Sequence, residues 1–159
     1  MKRIFTLLLT LALALSLTAC GSVKIEDTNG ADNFALNTIT DQNILKLDLP
    51  STGYGTKISG LLSKQVEIYG KGFSGVYEVL WTNIMLGDFT LNLTDYTVTA
   101  GNFRMVLVHE GAIVADIAPG TTEIVLKDVK GDVALRIAGE SADFSFSMSQ
   151  FEYDLYSHP

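Results

Sequence analysis

The chain has 159 residues, a formal net charge of −7 at pH 7 and a single cysteine. This length suits one domain with a hydrophobic core of its own. The acidic balance argues against nucleic acid as a partner and against electrostatic binding to anionic lipid. Because there is only one cysteine, an intrachain disulfide and a site built from several thiolates are excluded.

The first twenty residues have the layout of a secretory signal. Lys2 and Arg3 form a positive region, and residues 4–17 form an uncharged apolar stretch that is too short for an ordinary membrane span. Residues 17–20 read Leu-Thr-Ala-Cys. This segment resembles the lipobox of bacterial lipoproteins, which implies cleavage before Cys20 and a diacylglycerol on its sulfur. Several acyl chains, at about 0.8 kcal/mol per buried CH₂, would anchor the chain durably.

These features predict three parts: a lipoprotein signal peptide at 1–19, a lipidated N-terminus and flexible tether at 20–32, and a single β-sandwich domain at 33–159. Removing the signal leaves nine basic and 18 acidic side chains, a formal charge of −9. We expect an extracytoplasmic protein held at the cell membrane by lipid on Cys20. Position 21 is Gly rather than Asp, so an outer membrane is possible in a cell with two membranes.

Apolar residues alternate with a period of two from Asn43 onward, as on half-buried strands. Phe89, Leu91 and Leu93 show the alternation, and turn signals such as residues 130–132 recur about every 10 residues. The pattern predicts an all-β fold, an antiparallel jelly-roll-like β-sandwich of about nine or ten strands, with an immunoglobulin-like sandwich as the alternative. The candidate strands, of which one or two should fail, are roughly 43–48, 57–61, 64–69, 73–82, 88–93, 95–100, 102–109, 112–117, 121–127, 132–138 and 142–150.

Gly70, Gly72 and Gly75 form a G-x-G-x-x-G pattern after a predicted strand. Such glycines cradle phosphates when a helix follows them. Here the residues from Gly75 to Leu86 are rich in β-branched and aromatic side chains, which favours another strand. We therefore predict a turn or bulge at Gly70 and Gly72, a flat position opposite a bulky neighbour at Gly75, and no nucleotide.

Two stretches, TVTAGNFRMVLVHEGAIVADI and VLKDVKGDVALRIAGESADFSF, resemble a β-sandwich domain of small secreted and lipid-anchored bacterial proteins. The matching positions are Gly101-Asn102, Lys130-Gly131, Arg136-Ile137, Gly139 and Ala142. Asp143 stands where that pattern has Gly, which puts the last strand pairing in question. The resemblance implies a jelly-roll-like sandwich, the architecture of many carbohydrate-binding modules, and it assigns no binding residues.

Aromatic residues on one predicted strand give the candidate ligand site. With a period of two, Phe73, Tyr77, Val79 and Trp81 share one face. Aromatic rings on a sheet face can stack against sugar rings, and they can equally fill a core because they carry large apolar areas. We predict Trp81, Tyr77 and Tyr54, the last on a glycine-rich loop, as ligand-binding residues, with core packing as the alternative.

We predict neither catalysis nor a cofactor or metal. His109 is followed by a glutamate, but neighbours on a strand face opposite sides. Glu78 with Asp88 is one conceivable carboxyl pair for a glycosidase, although a solvated sheet face explains both. Asp128 and Asp132 flank a turn and could hold a structural calcium ion, with a solvated turn as the simpler interpretation.

The sequence therefore predicts a lipid-anchored, non-catalytic surface protein that binds an extracellular ligand, a glycan in the first instance. The alternative is a structural or assembly component of the cell envelope that binds a protein partner through a sheet edge or the aromatic tail at 151–156. An exposed Trp81 would favour the glycan, and an unpaired tail would favour the protein partner.

Overall fold

The structure, a computed structural model, describes the backbone of residues 23–25, 36–59 and 65–155. In these ranges it contains one antiparallel sheet and one short helix, so the all-β prediction is confirmed. None of the described helical residues forms a segment long and apolar enough to cross a membrane. The elements in chain order are β1 (Val23–Ile25), α1 (Asp41–Lys46), β2 (Thr52–Ser59), β3 (Gln65–His109), β4 (Ala112–Ile117) and β5 (Glu123–Leu155).

The described residues form five strands, so the predicted number of nine or ten is wrong. Several expected turns lie inside β3 and β5, which run for 45 and 33 residues. Gly101 and Gly131 have φ angles of 72° and 104°, and the ladder shifts register beside both. Because glycine adopts positive φ without steric cost, the backbone bends there while its pairing continues.

The middle of β5 is the centre of the sheet. Residues 133–149 of β5 pair on one side with residues 65–82 of β3 and on the other side with residues 92–109 of β3. The two halves of β3 therefore flank one strand. This arrangement explains why the apolar alternation is strongest in this part of β5, where Phe144, Phe146 and Met148 are all buried.

Shorter pairings extend the sheet at its margins. Residues 89–92 of β3 also pair with 123–126 of β5, and β1 pairs with 124–126 from the far side. At other positions β2 pairs with residues 65–74 of β3, and β4 pairs with 105–109 of β3. All these pairs are antiparallel, as predicted from the alternation.

The predicted tether and the aromatic tail are both paired in part with the sheet. β1 places residues 23–25 of the predicted tether in the sheet, while Cys20 and the rest of 20–32 lie outside the described residues. The aromatic tail is paired as far as it is described, with Tyr153 opposite Phe89 and Asp154 opposite Asp88. The tail thus continues β5 rather than standing free.

The two faces of β5 belong to two different apolar clusters. Val133, Leu135 and Ile137 lie in the larger cluster, which we call the inner core, whereas Ala134 and Ala138 lie in the smaller one. We call the side of the sheet that carries Ala134 and Ala138 the outer face. The inner core contains all the largest fully buried aromatic side chains, namely Phe73, Phe89 and Phe146.

α1 replaces the strand that was predicted at 43–48. The Thr40 side chain accepts a hydrogen bond from the Asn43 backbone N–H, and the Asn43 side chain accepts one from Thr40, which together form a capping box. Leu47 ends the helix in the left-handed conformation at φ 52°. The sequence pattern does not predict this helix, because Asn43 stands where a capping box usually has Glu or Gln.

Residues 36–49, which we call the strap, cover the outer face. Ile39 and Ile44 are buried, and Leu36, Leu45 and Leu49 pack beside them. They contact the apolar outer-face residues Val76, Val106, Val108, Ala134 and Ala138. A six-residue helix has little stability alone, so burial against the sheet must hold α1 in place.

Candidate ligand-binding face

A bulge in β3 decides which way the candidate aromatic residues point. Tyr77 pairs with Ile137 and Leu80 pairs with Leu135, so β3 has one more residue than β5 between these two pairs. Ile137 and Leu135 both belong to the inner core. Directly paired residues share a face of the sheet, so Tyr77 and Leu80 both point inward although three positions separate them.

Trp81 therefore points outward. It pairs with Ala134, a residue of the outer-face cluster, and its side chain remains 55% exposed. The prediction that Trp81 shares a face with Phe73 and Tyr77 is wrong, because the bulge at Val79 shifts the alternation by one residue. An exposed Trp81 is the observation that favours a glycan over a protein partner as the ligand.

Polar pairs lie on both sides of Trp81 along the outer face. On one side the Asn83 Nδ2 donates to Asp132 Oδ1 at 2.6 Å. On the other side Glu78 pairs with Arg136, its partner on β5. An aromatic platform between planar polar groups can both stack on a ligand ring and hydrogen-bond to its edge.

Arg136 joins three elements. Its Nε and Nη2 donate to Glu78 Oε2 at 3.0 and 2.8 Å, while its Nη1 donates to the backbone oxygens of Ile44 and Leu45 at 3.1 and 2.8 Å. The two oxygens belong to the last turn of α1, where carbonyls lack partners within the helix. One guanidinium thus satisfies the helix end and fixes the strand segment just before the bulge.

Glu140 holds the opposite end of the strap. Its carboxylate accepts hydrogen bonds from the backbone N–H groups of Asn37, Thr38 and Ile39 at 2.9, 2.6 and 3.2 Å, and from the Asn102 side chain at 3.1 Å. The Thr38 hydroxyl donates at 2.7 Å. Burial acts to raise the pKa of Glu140, but these hydrogen bonds outweigh it and lower the pKa overall.

Arg104 fixes the start of α1. Its guanidinium makes a bidentate contact with Asp116 of β4, with Nε–Oδ1 at 2.5 Å and Nη2–Oδ2 at 3.2 Å, and it also contacts Asp41. The hydrogen bond to Asp116 is the main reason that the pKa of Arg104 is raised. Arg104 therefore links the start of α1 to β4.

An open groove of about 360 Å³ lies beside the strap at the Glu140 end. Its lining comprises Thr38, Ile39, Leu49, Pro50, Thr52, Ser74, Gly75, Gly139, Glu140 and Ser141. The lining carboxylate is that of Glu140, whose oxygens already accept hydrogen bonds from the strap. This groove offers a ligand hydroxyl groups and apolar walls, with no aromatic platform among its lining residues.

Tyr54 and Tyr77 form a separate aromatic pair. Their ring centroids are 4.3 Å apart with an angle of 36° between the ring planes. Tyr54 is 39% exposed, whereas Tyr77 is half-buried against the inner core. Burial, and then the neighbouring Tyr54 hydroxyl, raise the pKa of Tyr77. The structure thus keeps Tyr54 and Tyr77 together and places Trp81 on the other face.

The two carboxyl groups considered as a glycosidase pair each have a basic partner. Glu78 is bound to Arg136, and Asp88 lies 2.5 Å from Lys127 Nζ. The Asp88 carboxylate also accepts a hydrogen bond from the Asp128 backbone N–H at 3.0 Å. The contact with Lys127 is the first cause of the lowered pKa of Asp88. Both carboxylates are thereby accounted for as ion-pair partners.

The remaining candidates lie beside the turn at 110–111 and in the part of β5 around Gly131. His109 Nε2 is 3.0 Å from the Lys130 backbone oxygen, and Glu110 Oε1 accepts from the Asp132 backbone N–H at 2.6 Å. These contacts join the turn after β3 to β5 near Gly131. Among the residues whose placement is described, no three His, Cys, Asp or Glu side chains come together to hold a metal ion, Asp128 and Asp132 included.

The glycine pattern marks bulges, as predicted. The register shifts between Gly70 and Phe73 and again between Phe73 and Gly75, and β3 continues without a helix. The bulky neighbour was expected opposite Gly75, but it lies at Gly70, where an added Cβ would come within 2.3 Å of Phe144 Cε1. Asp143, the departure from the resembled pattern, accepts a hydrogen bond from the Gly72 N–H at 2.7 Å.

Comparisons of the chain with protein-family models, with curated proteins and with solved structures found no match. The function is therefore inferred from the chemistry of the chain's own residues.

Proposed function

We propose that this protein is a lipid-anchored, non-catalytic β-sandwich that displays Trp81 outside the cell as a platform for a glycan. The observation that carries the proposal is the 55% exposure of the Trp81 side chain on the outer face. Tryptophan offers the largest apolar ring surface of any residue, and exposed aromatic residues commonly serve as anchors for ligands.

The surroundings of Trp81 support a ring-shaped polar ligand. The indole can stack against the apolar side of a sugar, while the Asn83–Asp132 pair lies one step along the same face and can meet hydroxyl groups. Tyr77 packs against the inner core and Tyr54 packs against Tyr77 and Phe73, so these two residues are not part of this proposal. Fold alone would not justify it, because one architecture carries many functions.

The sandwich part of the proposal rests on how the long strands bend. Phe103 pairs with Gly139, and Phe144 lies five residues further along β5, which is about 17 Å on a straight strand. Their ring centroids are nevertheless 4.3 Å apart. A sharp bend between residues 139 and 144, beside the positive φ of 55° at Ser141, would fold the sheet over its own inner core.

The glycan proposal is tested with a glycan array on the full chain, purified in mild detergent, in calcium and in EDTA. Trp81 is the only tryptophan, so its fluorescence reports directly on ligand contact. We expect a glycan that binds on the array and also shifts or quenches the emission of Trp81 in a titration. A blank array, or binding that leaves the Trp81 emission unchanged, would overturn the proposal.

Lipid anchoring is tested separately through Cys20. We expect the wild-type chain in the membrane fraction, with an intact mass that includes lipid, and we expect Cys20→Ala to shift the protein out of that fraction. An unmodified mass at a retained Cys20 would contradict the anchoring while leaving the glycan test unaffected. Residues 152–155 of the tail pair with β3, so this stretch is not the unpaired strand that would have favoured a protein partner.

A further inference from the structure

Arg136 lies between the strap and the strand that carries Trp81. Its side chain is 13% exposed and that of Glu78 is 29% exposed, so this ion pair is partly shielded from water. Hydrogen bonds that involve charged groups are stronger than neutral ones, and Arg forms them in a fixed planar arrangement. Each nitrogen of this guanidinium has a defined partner, because Nε and Nη2 bind Glu78 and Nη1 binds the end of α1.

The contact with Glu78 lies at the point that determines where Trp81 faces. Glu78 is the last residue in register before the bulge, and Leu80 is the first after it. A bulge leaves one residue without a partner in the ladder, so a side-chain contact beside it restricts how the strand can relax. If the extra residue at Val79 were lost from the ladder, Trp81 would return to the inner face.

The other contact lies at the point that holds the strap. α1 has six residues and its last carbonyls need partners outside the helix. Nη1 of Arg136 donates hydrogen bonds to two of these carbonyls, those of Ile44 and Leu45. The Ile44 side chain is fully buried against the outer face. Ala134, the residue paired with Trp81, belongs to the same outer-face cluster as Ile39 and Ile44 of the strap.

We propose that Arg136 is a positioning residue that couples attachment of the strap to the outward display of Trp81. Loosening the strap then alters the surroundings of Trp81, and a ligand on Trp81 tightens the strap by the same factor, since such coupling is reciprocal. The ligand half of this proposal rests on the proposed function. The half that concerns Trp81 and the strap does not, and it can be measured without any ligand.

The test uses the full chain in detergent with three variants: Arg136→Met, Arg136→Lys and Glu78→Gln. Acrylamide quenching and the emission maximum report on Trp81, and amide hydrogen exchange reports on α1. We expect Arg136→Met to speed exchange in α1 by about tenfold or more and to change the quenching of Trp81 at the same time. Arg136→Lys keeps the positive charge, so we expect slower exchange in α1 and a smaller change in Trp81 quenching than in Arg136→Met. It should not reach the wild-type values, because a lysine lacks the planar fork that binds Glu78 and the helix carbonyls together.

Glu78→Gln weakens the contact of Arg136 with β3 without removing its contact with α1. It therefore keeps the proposal testable if Arg136→Met does not fold. It leaves the helix carbonyls paired to Arg136, so we expect a larger change in the quenching of Trp81 than in the exchange of α1. The proposal is overturned if Arg136→Met loosens α1 while Trp81 is unchanged, or if neither readout moves. A wild-type chain that binds no glycan would instead defeat the proposed function and leave the measured coupling intact.

Discussion

The two ends of the outer face use their side chains in opposite ways. At the strap's first residues, Glu140 and Arg104 are surrounded by partners that hold the chain in place. About six residues or 20 Å further along β5, beyond the contact of Arg136 with α1, Trp81 remains 55% exposed. Charged residues here are structural and an apolar residue is the candidate for binding, which reverses the usual expectation for a protein surface.

Burying Trp81 would stabilise the fold, but the fold leaves this side chain largely exposed. Burial of a large apolar side chain stabilises a protein by roughly 1.5–3 kcal/mol. Ala134 and Val108 belong to the buried cluster that includes the strap, whereas Trp81 does not. Met85 and Leu86 follow in β3 and are exposed as well. Apolar surface kept in water beside a covered region is typical of interaction sites.

The largest effect should come from the buried anchor of the strap. We expect Ile44→Ala to lower the free energy of unfolding by about 2–5 kcal/mol, because it empties a fully buried position between α1 and the sheet. Denaturant unfolding followed by circular dichroism measures it. Leu47→Ala, at an exposed position just after α1, is the control and should change stability by about 0.5 kcal/mol or less. Equal effects of the two substitutions would show that the strap is not docked as described.

The next largest effect should come from Glu140. We expect Glu140→Gln to destabilise the protein by roughly 1–2 kcal/mol at pH 7, since a neutral amide cannot accept the same set of hydrogen bonds from Asn37, Thr38 and Ile39. Amide exchange at residues 37–39 should rise more than exchange in the inner core. Uniform acceleration throughout the sheet would instead indicate a general loss of stability.

The contribution of Glu140 should depend on pH with a definite sign. Its pKa is lowered in the folded protein, so its stabilisation is complete above the unfolded value of about 4.3 and is lost as the pH falls below it. We expect the stability difference between wild type and Glu140→Gln to be constant from pH 7 to about pH 5 and to shrink at lower pH. A difference that grows on acidification would mean that another group dominates.

The smallest effect on stability should come from Trp81. We expect Trp81→Ala to change the free energy of unfolding by about 1 kcal/mol or less, because the side chain is mainly exposed. Phe89→Ala, which removes a fully buried ring of the inner core, should cost about 3–5 kcal/mol by comparison. If both cost the same, Trp81 would be a structural residue and the contrast between the two ends would disappear.

The sequence predicted what depends on local pattern. The alternation of Phe144, Phe146 and Met148 correctly gave strands with one buried side, and the glycines at 70 and 72 correctly gave a bulge. Local pattern failed to predict that two of the expected turns lie inside long, continuous strands. Gly101 and Gly131 look like strand ends in the sequence, but the residues before and after each of them pair with the same neighbouring strand, so the strand continues through them.

The candidate site could be predicted only in part. The sequence indicated Trp81 as a candidate ligand residue but placed it on the same face as Tyr77, because a period of two carries no information on an extra residue such as Val79. The role of Arg136 was also hidden, since its partners Glu78 and Leu45 lie 58 and 91 positions away along the chain. Only the register of the sheet brings these groups together.

The most direct test of the account compares equilibrium binding of an array-identified glycan to the wild type, Trp81→Ala and Tyr54→Ala, with circular dichroism to confirm each fold. Tyr54 is the matched control because it is an exposed aromatic residue away from the outer-face bulge. We expect Trp81→Ala to weaken binding by at least about tenfold and Tyr54→Ala to leave it unchanged. Binding that survives in Trp81→Ala, or that is lost in Tyr54→Ala instead, would contradict the assignment of the outer face as the ligand site.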